Sequence, residues 1–261
     1  MTIASLFSQE KNSAYDGNSI KELVVKGNFE VLLFQSDFED LYIHAPVNVT
    51  RSIKSEFKNG IYSITNSRTS GMPAKLYLVV KDLKSLKATG NVTIKTPTNI
   101  CLKHLDLNIS EDVNATLFIS SDDLCLDVKG SGYVHVSGEI DTLRLTTDHS
   151  ANVSFDIKSK KVYSTIKSES EVLFEGNVFF LYSEVYQFAI IDNQNAETGT
   201  CIISTYDNSM AKIKADDFLY LHAGGKSTIA YKGNGKIEVA EKDKKATIRG
   251  DGKHKTLVSR K

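Results

Sequence analysis

The chain has 261 residues, of which 41% are hydrophobic and 25% charged, with three prolines and no tryptophan. This balance excludes a disordered or collagen-like chain. The 32 basic residues are matched by 32 acidic ones, which argues against a general nucleic-acid binder held by phosphate attraction.

Taken in chain order, residues 1–17 read as an N-terminal arm. The run MTIASLFSQEKNSAYDGNS lacks the basic start and apolar stretch of a signal peptide. No window approaches the ~20 apolar residues of a membrane-spanning helix. The sequence therefore predicts synthesis in the cytoplasm, with incorporation into a virus particle as one route out. A cell-surface location follows if a leader has been removed.

Residues 18–85 read as β-strands: IKELVVKGNFEVLLF, EDLYIHA, GIYSIT and AKLYLVV, with Gly, Asn and Pro turns between them. No helical stretch of any length is visible. This region is expected to start a solenoid and to cap its first open edge, since an uncovered edge invites end-to-end pairing.

From residue 86 to 252 the chain repeats. Similar pieces begin at Leu86, Leu105, Leu124, Leu143, Val162, Leu181, Ile202 and Leu219, with a ninth at Ile237. The first six starts are 19 residues apart, and the later steps are 21, 17 and 18. Each piece opens with an apolar-x-apolar pair, such as Leu124/Leu126, and carries a second, such as Val134/Val136. Period-2 alternation puts these side chains on one face of a strand. The Gly, Ser, Asp and Asn between them suit tight corners. One such turn cannot bury enough surface to fold alone, so turns must stack and share a core. The fold class predicted is all-β: a single-stranded parallel β-helix or solenoid with rungs of about 19 residues and an N-terminal strand cap. Residues 253–261 form a basic tail. From Lys236 to Lys261 there are nine Lys or Arg against four Asp or Glu, which suits either a solvated end or a contact with a phosphate-bearing or acidic partner.

The run IKELVVKGNFEVLLFQSD, followed by GIYSIT, LYLVVKDLKSLKATGNVTI and the closing LYLHAGGKSTIAYKGNGKIEV, resembles the auto-transporter adhesin, head GIN domain, family. The resemblance covers roughly residues 18–252. It implies a β-helix-like fold on secreted or surface proteins of Bacteroidetes-type bacteria, with no established catalytic residues. Two departures stand out. The chain lacks the export signal such proteins carry, and rungs such as IKSESEVLF lack the Ser-Gly pair. The first departure also leaves room for a phage-encoded relative.

Little in the sequence points to chemistry. Cys101, Cys125 and Cys201 are too few and too far apart for a disulfide framework or a CxxC metal site. Cys101 and Cys125 sit in apolar strand patterns, which predicts buried free thiols and suits a reducing compartment. None of the six histidines forms an HExxH or HxH pair, and His135, between Val134 and Val136, should point outward. No phosphate-binding loop or nucleophile elbow is present. Parallel β-helices can cleave polysaccharides with paired carboxylates, and Asp122, Asp123, Asp127, Asp141, Asp148 and Asp156 are candidates in principle. Acidic residues are expected at corners in any case. No catalytic residue, metal ligand or cofactor site is predicted. Arg249-Gly250-Asp251 is read as a turn between strands.

The stretch NVFFLYSEVYQFAII holds more large apolar side chains than one narrow inner face can take. Phe174, Phe179, Phe180, Tyr182, Tyr186 and Phe188 therefore form either a thickened core or an exposed patch that docks a partner protein or a sugar. The leading functional reading is a non-enzymatic structural or adhesive module that works by protein–protein or surface contact, or by self-association, in a larger assembly. A polysaccharide-cleaving enzyme and a cytoplasmic oligomeric scaffold are the alternatives.

Overall fold

The computed structural model describes residues 8–10, 19–68, 71–251 and 257–258. The arm at 1–17 and the basic tail at 253–261 lie outside them, apart from two short strands at 8–10 and 257–258. Among the described residues, strand accounts for 68% and helix for 2%. The strands are β1 (Ser8–Glu10), β2 (Glu22–Lys26), β3 (Phe29–Gln35), β4 (Asp40–Ala45), β5 (Ile53–Lys58), β6 (Ile61–Asn66), β7 (Ala74–Val80), β8 (Ser85–Thr89), β9 (Val92–Lys95), β10 (Ile100–Ser110), β11 (Asn114–Lys129), β12 (Tyr133–Asp148), β13 (Asn152–Ile166), β14 (Glu171–Val185), β15 (Ile190–Asp192), β16 (Glu197–Thr205), β17 (Met210–Lys214), β18 (Phe218–Ala223), β19 (Thr228–Lys232), β20 (Lys236–Lys242), β21 (Thr247–Gly250) and β22 (Leu257–Val258). A single helical turn at Val47–Thr50 follows Pro46, whose carbonyl accepts from the Val49 and Thr50 amides.

The strands stack in parallel as a β-solenoid of about nine turns. Two long ladders run along it. Face A stacks β2, β8 and β10, the second halves of β11 to β14, then β16, β18 and β20. Face B stacks β3 and β9, the first halves of β11 to β14, then β15, β17, β19 and β21. Inward residues alternate as the pattern predicts: Leu124, Leu126, Val128, Val134 and Val136 are all buried, and His135 between the last two faces out. The alternation slips where face B returns to face A, as at Asp122-Asp123, because the strand bends there.

The register corrects the repeat boundaries at two places. Leu105, Leu124, Leu143, Val162 and Leu181 pair in steps of 19. Leu86, however, pairs with Leu107, a step of 21. The two additional residues fall in Thr96–Asn99, since Lys95 still pairs with Thr116 whereas Ile100 pairs with Ile119. Later, Leu181 stacks on Cys201 rather than Ile202, a step of 20, and Cys201, Leu219 and Ile237 follow in steps of 18. Ile202 points outward. The residue inserted in this turn is accommodated by buried Asn193, whose amide donates to Thr198 Oγ1 (3.1 Å) and to the Lys214 carbonyl (3.3 Å), and whose Oδ1 accepts from the Lys214 amide (2.8 Å).

At the N-terminal end, order in space departs from order in sequence. β2 lies between β6 and β8, and β3 between β7 and β9. The turn made by β6 and β7 is therefore outside the turn made by β2 and β3, although it comes later in the chain. Antiparallel strands line its outer edge: β5 on β6, β4 on β7 and β1 on β4. Gly27, with φ +111°, makes this crossing possible, because any side chain there would run into the Asn66 carbonyl.

The core is one continuous column of buried side chains. Phe155 and Phe174 stack inside it, with centroids 4.8 Å apart and planes 9° from parallel. In the same turns the inward positions on face A carry Ser164 and Ser183, joined by a 2.8 Å hydrogen bond. Small residues on one wall make room for large ones on the other at constant packing density.

Candidate functional site

The outer surface of face A carries aromatic, charged and thiol side chains in register. Strand alternation places every second residue of each turn there, and the common register lines them up in columns. One column runs Cys125, Arg144, Tyr163, Tyr182, Ile202 and Tyr220. Beside it lie Thr165, Glu184, Ser204 and His222.

The six aromatic residues predicted to act together are split. Phe174 belongs to the core. Phe180, Tyr182 and Tyr186 are half-buried on face A, where Tyr163 meets Phe180 and Tyr182 at centroid distances of 6.0 and 6.5 Å. Phe179, 68% exposed, sits at the bend leading into face A, and Phe188, 61% exposed, lies in the corner leading out of it. The sequence reading missed Tyr163, Tyr206 and His222, which continue the same surface. Tyr186 and Tyr206 stack at 4.8 Å and 10°, and His222 lies 5.2 Å beyond Tyr206. Their spacing in the chain, close to one rung, was the available signal.

Glu184 organises this surface. Its Oε1 accepts from the Tyr182 hydroxyl (2.8 Å) and its Oε2 from the Tyr186 hydroxyl (3.1 Å). The Glu184 hydrogen bond, then burial, raises the Tyr182 hydroxyl above its ordinary pKa. Burial, then Glu184, pushes Tyr186 up to about 12. Both therefore remain neutral donors across the physiological range.

Nearer the N-terminal end, the same face becomes charged. Asp123 accepts from Arg144 and from His104 Nδ1 (3.0 Å), and His104 Nε2 meets Asp106 (3.1 Å). The Asp106 contact, and more weakly Asp123, raise the His104 pKa against the opposing effect of desolvation. Cys125 lies beside Arg144, yet burial raises its pKa, so the thiol stays protonated and is not an activated nucleophile.

Cys101 and Cys125 are free thiols as expected, but neither is buried as expected. Cys101 is exposed and Cys125 half-buried, because Ile100/Leu102 and Leu124/Leu126 occupy the inward positions on either side. Cys201 is buried, with its thiol pushed up to about 12 by desolvation. Four of the six carboxylates considered for catalysis hold structural partners: Asp123 as above, Asp127 with Lys129 (2.8 Å), Asp141 with Lys160 (2.6 Å), and Asp148 with the Ser168 hydroxyl (2.6 Å). Ser168 holds the Asp148 carboxyl below its ordinary range. Among the described residues, no three His, Cys, Asp or Glu side chains are grouped to hold a metal ion. No helix among them is long and apolar enough to cross a membrane.

Residues 20–153 match the family described as "Putative auto-transporter adhesin, head GIN domain". The chain belongs to this family. No curated protein matches its sequence. Three solved structures share the fold of this head GIN domain at 16% identity each. A "putative adhesin" from Parabacteroides distasonis has a TM-score of 0.68, with 93% of this chain and 96% of that chain covered. A "putative adhesin" from Parabacteroides merdae has a TM-score of 0.66, with 95% and 97% covered. A "putative lipid binding protein" from Parabacteroides distasonis has a TM-score of 0.64, with 98% of each covered. The family match ends ten residues before Tyr163, so the aromatic columns lie beyond it.

Proposed function

We propose that this head GIN domain is a non-enzymatic adhesive module that works at a cell surface, and that the outer aromatic surface of face A makes the contact. One observation carries the reading. Phe180, Tyr182, Tyr186 and Tyr206, with Tyr163 beside them, are held outward on a rigid parallel ladder, and Phe179 extends the surface at its edge. Aromatic side chains presented on a stiff scaffold give contact area with little loss of conformational freedom on binding. The family and the fold neighbours support an adhesin-like role, and the protonated Cys125 and the paired carboxylates give no support to turnover.

The test is retention under flow. Beads coated with the chain are passed over layers of bacterial or epithelial cells. Wild-type beads should be retained well above uncoated ones, and the Phe179→Ser/Phe180→Ser/Tyr182→Ser variant should lose most of that retention. Tyr133→Ser, which alters an exposed aromatic on face B, should not. Wild-type retention no better than bare beads would sink the adhesive reading, and release of oligosaccharides from a polysaccharide would replace it with an enzyme.

A further inference from the structure

Tyr186 and Tyr206 occupy successive turns of one column, and their parallel rings sit one strand spacing apart. Tyr206 therefore covers the face of Tyr186 that is turned toward the C-terminal end. Its other face is turned toward the preceding turn, where the column carries Lys167 in place of a ring. The Tyr186 amide donates to the Ile166 carbonyl of that turn (2.9 Å), which fixes the register. A slot opens at this step, about 480 Å³ in volume, lined by Thr165, Lys167, Glu184, Tyr186, Gln187 and Asp207.

The lining is not that of an ion site. Two carboxylates, Glu184 and Asp207, disfavour an anion; both are already engaged, Glu184 by the Tyr182 and Tyr186 hydroxyls and Asp207 by the Gln187 backbone amide, so beside the Lys167 ammonium they make a poor seat for a cation. Together with the Thr165 hydroxyl and the Gln187 amide, they present donors and acceptors around one aromatic ring. An aromatic face is electron-rich and attracts weakly polarised C–H groups. A ligand that satisfies both sets is neutral, is apolar on one flat side and carries hydroxyls around its rim. We propose that this slot seats one neutral hexopyranose ring of a surface glycan, with its C–H side against Tyr186 and its hydroxyls on Glu184, Lys167, Gln187 and Asp207. The proposal rests on the adhesive reading of face A and deepens it by naming the ligand class. Glu184 has a positioning role as well: its bonds from Tyr182 and Tyr186 fix the ring that forms the wall.

Saturation-transfer NMR tests this with methyl glycosides of glucose, galactose and mannose at millimolar concentration, and with glucuronate and glucosamine as charged controls. Transfer from the protein to ring C–H protons of at least one neutral glycoside is expected, exceeding that to either charged sugar. Tyr186→Ala should abolish it, Tyr186→Phe should keep at least half, and Tyr133→Ala should leave it unchanged. Lys167→Ala and Gln187→Ala alter exposed residues and should each weaken binding several-fold, so the answer stands even if Tyr186→Ala fails to fold. No transfer from any neutral glycoside, transfer that survives both Tyr186→Ala and Lys167→Ala, or stronger transfer to a charged sugar overturns the proposal. Bead retention without sugar transfer would leave face A as a protein-contact surface. Sugar transfer without retention would keep the slot and remove the adhesive role.

Discussion

The turns from Leu105 to Leu181 and the segment from Ile20 to Lys95 are built from the same alternating strands, yet they are assembled differently. In the first region each turn pairs with the turn just before it in the chain, at a constant step of 19. In the second, β2 is sandwiched between β6 and β8, so its partners lie about 40 and 60 residues away in sequence. Alternation alone decides which side chains are inside. It does not decide which strands are neighbours. In the regular region, neighbours follow from succession. In the N-terminal region they are chosen by particular residues, Gly27 and Asn66 among them. Long-range pairings must also be closed against a larger loss of chain freedom, so the N-terminal region should be the slower to form.

The sharpest test of the regular region is a buried charge. Val136→Asp should cost more than about 4 kcal/mol and unfold the chain at modest urea, whereas His135→Asp, one residue away and facing out, should cost about 1 kcal/mol or less. Equal losses would mean that the inward and outward assignment is wrong. Next in size is the divided aromatic stretch. Phe174→Ala removes one ring of the buried stack on Phe155 and should lower stability by about 3–5 kcal/mol in urea melts, while Phe179→Ser should change it by about 0.5 kcal/mol or less. A smaller, local effect is expected from Gly27→Ala. It should cost about 1–3 kcal/mol from backbone strain, added to the displacement of the Asn66 carbonyl that the new Cβ would strike, and accelerate amide exchange in β6 and β7, leaving β11 to β13 protected. Uniform acceleration along the chain would mean that the two regions unfold as one unit. The smallest effect is at His104. Its folded pKa is raised, so the stabilisation it gives is fully present below the unfolded value near 6.5 and fades as pH rises through the folded one. The His104 ring protons should titrate above the unfolded value in NMR, and Asp106→Asn should move the midpoint down.

The sequence carried most of the regular region. Leu124, Leu126, Val134 and Val136 announce their face, and the recurrence of the pattern announces the stack. It carried less where local pattern and spatial partner separate. β2 and β6 look equally good as neighbours of β8, and only the packed structure shows β6 outside. Cys101 and Cys125 were misread because cysteine was treated as apolar by type, although Ile100/Leu102 and Leu124/Leu126 already assigned it to the outer phase. The same phase rule separates Phe174, two residues after Val172, from Tyr182, one residue after Leu181. The pairing of Tyr182 and Tyr186 across Glu184 was present in their spacing, each two residues from it, but the slot beside Tyr186 depends on Lys167 one turn earlier. That relation becomes visible once the register is known.

The identical steps between Leu105 and Leu181 also bear on how such molecules change over generations. A deletion that removes residues 124–142 would bring Leu143 onto Leu105 in the place Leu124 now holds, with every inward residue still in phase. A duplication of that segment would do the reverse. The rod can therefore shorten or lengthen by whole turns of about 4.8 Å without redesign of either end, as a telescoping boom does. What changes is reach. The aromatic surface keeps its composition while its distance from the capped N-terminal end is reset in increments of one turn.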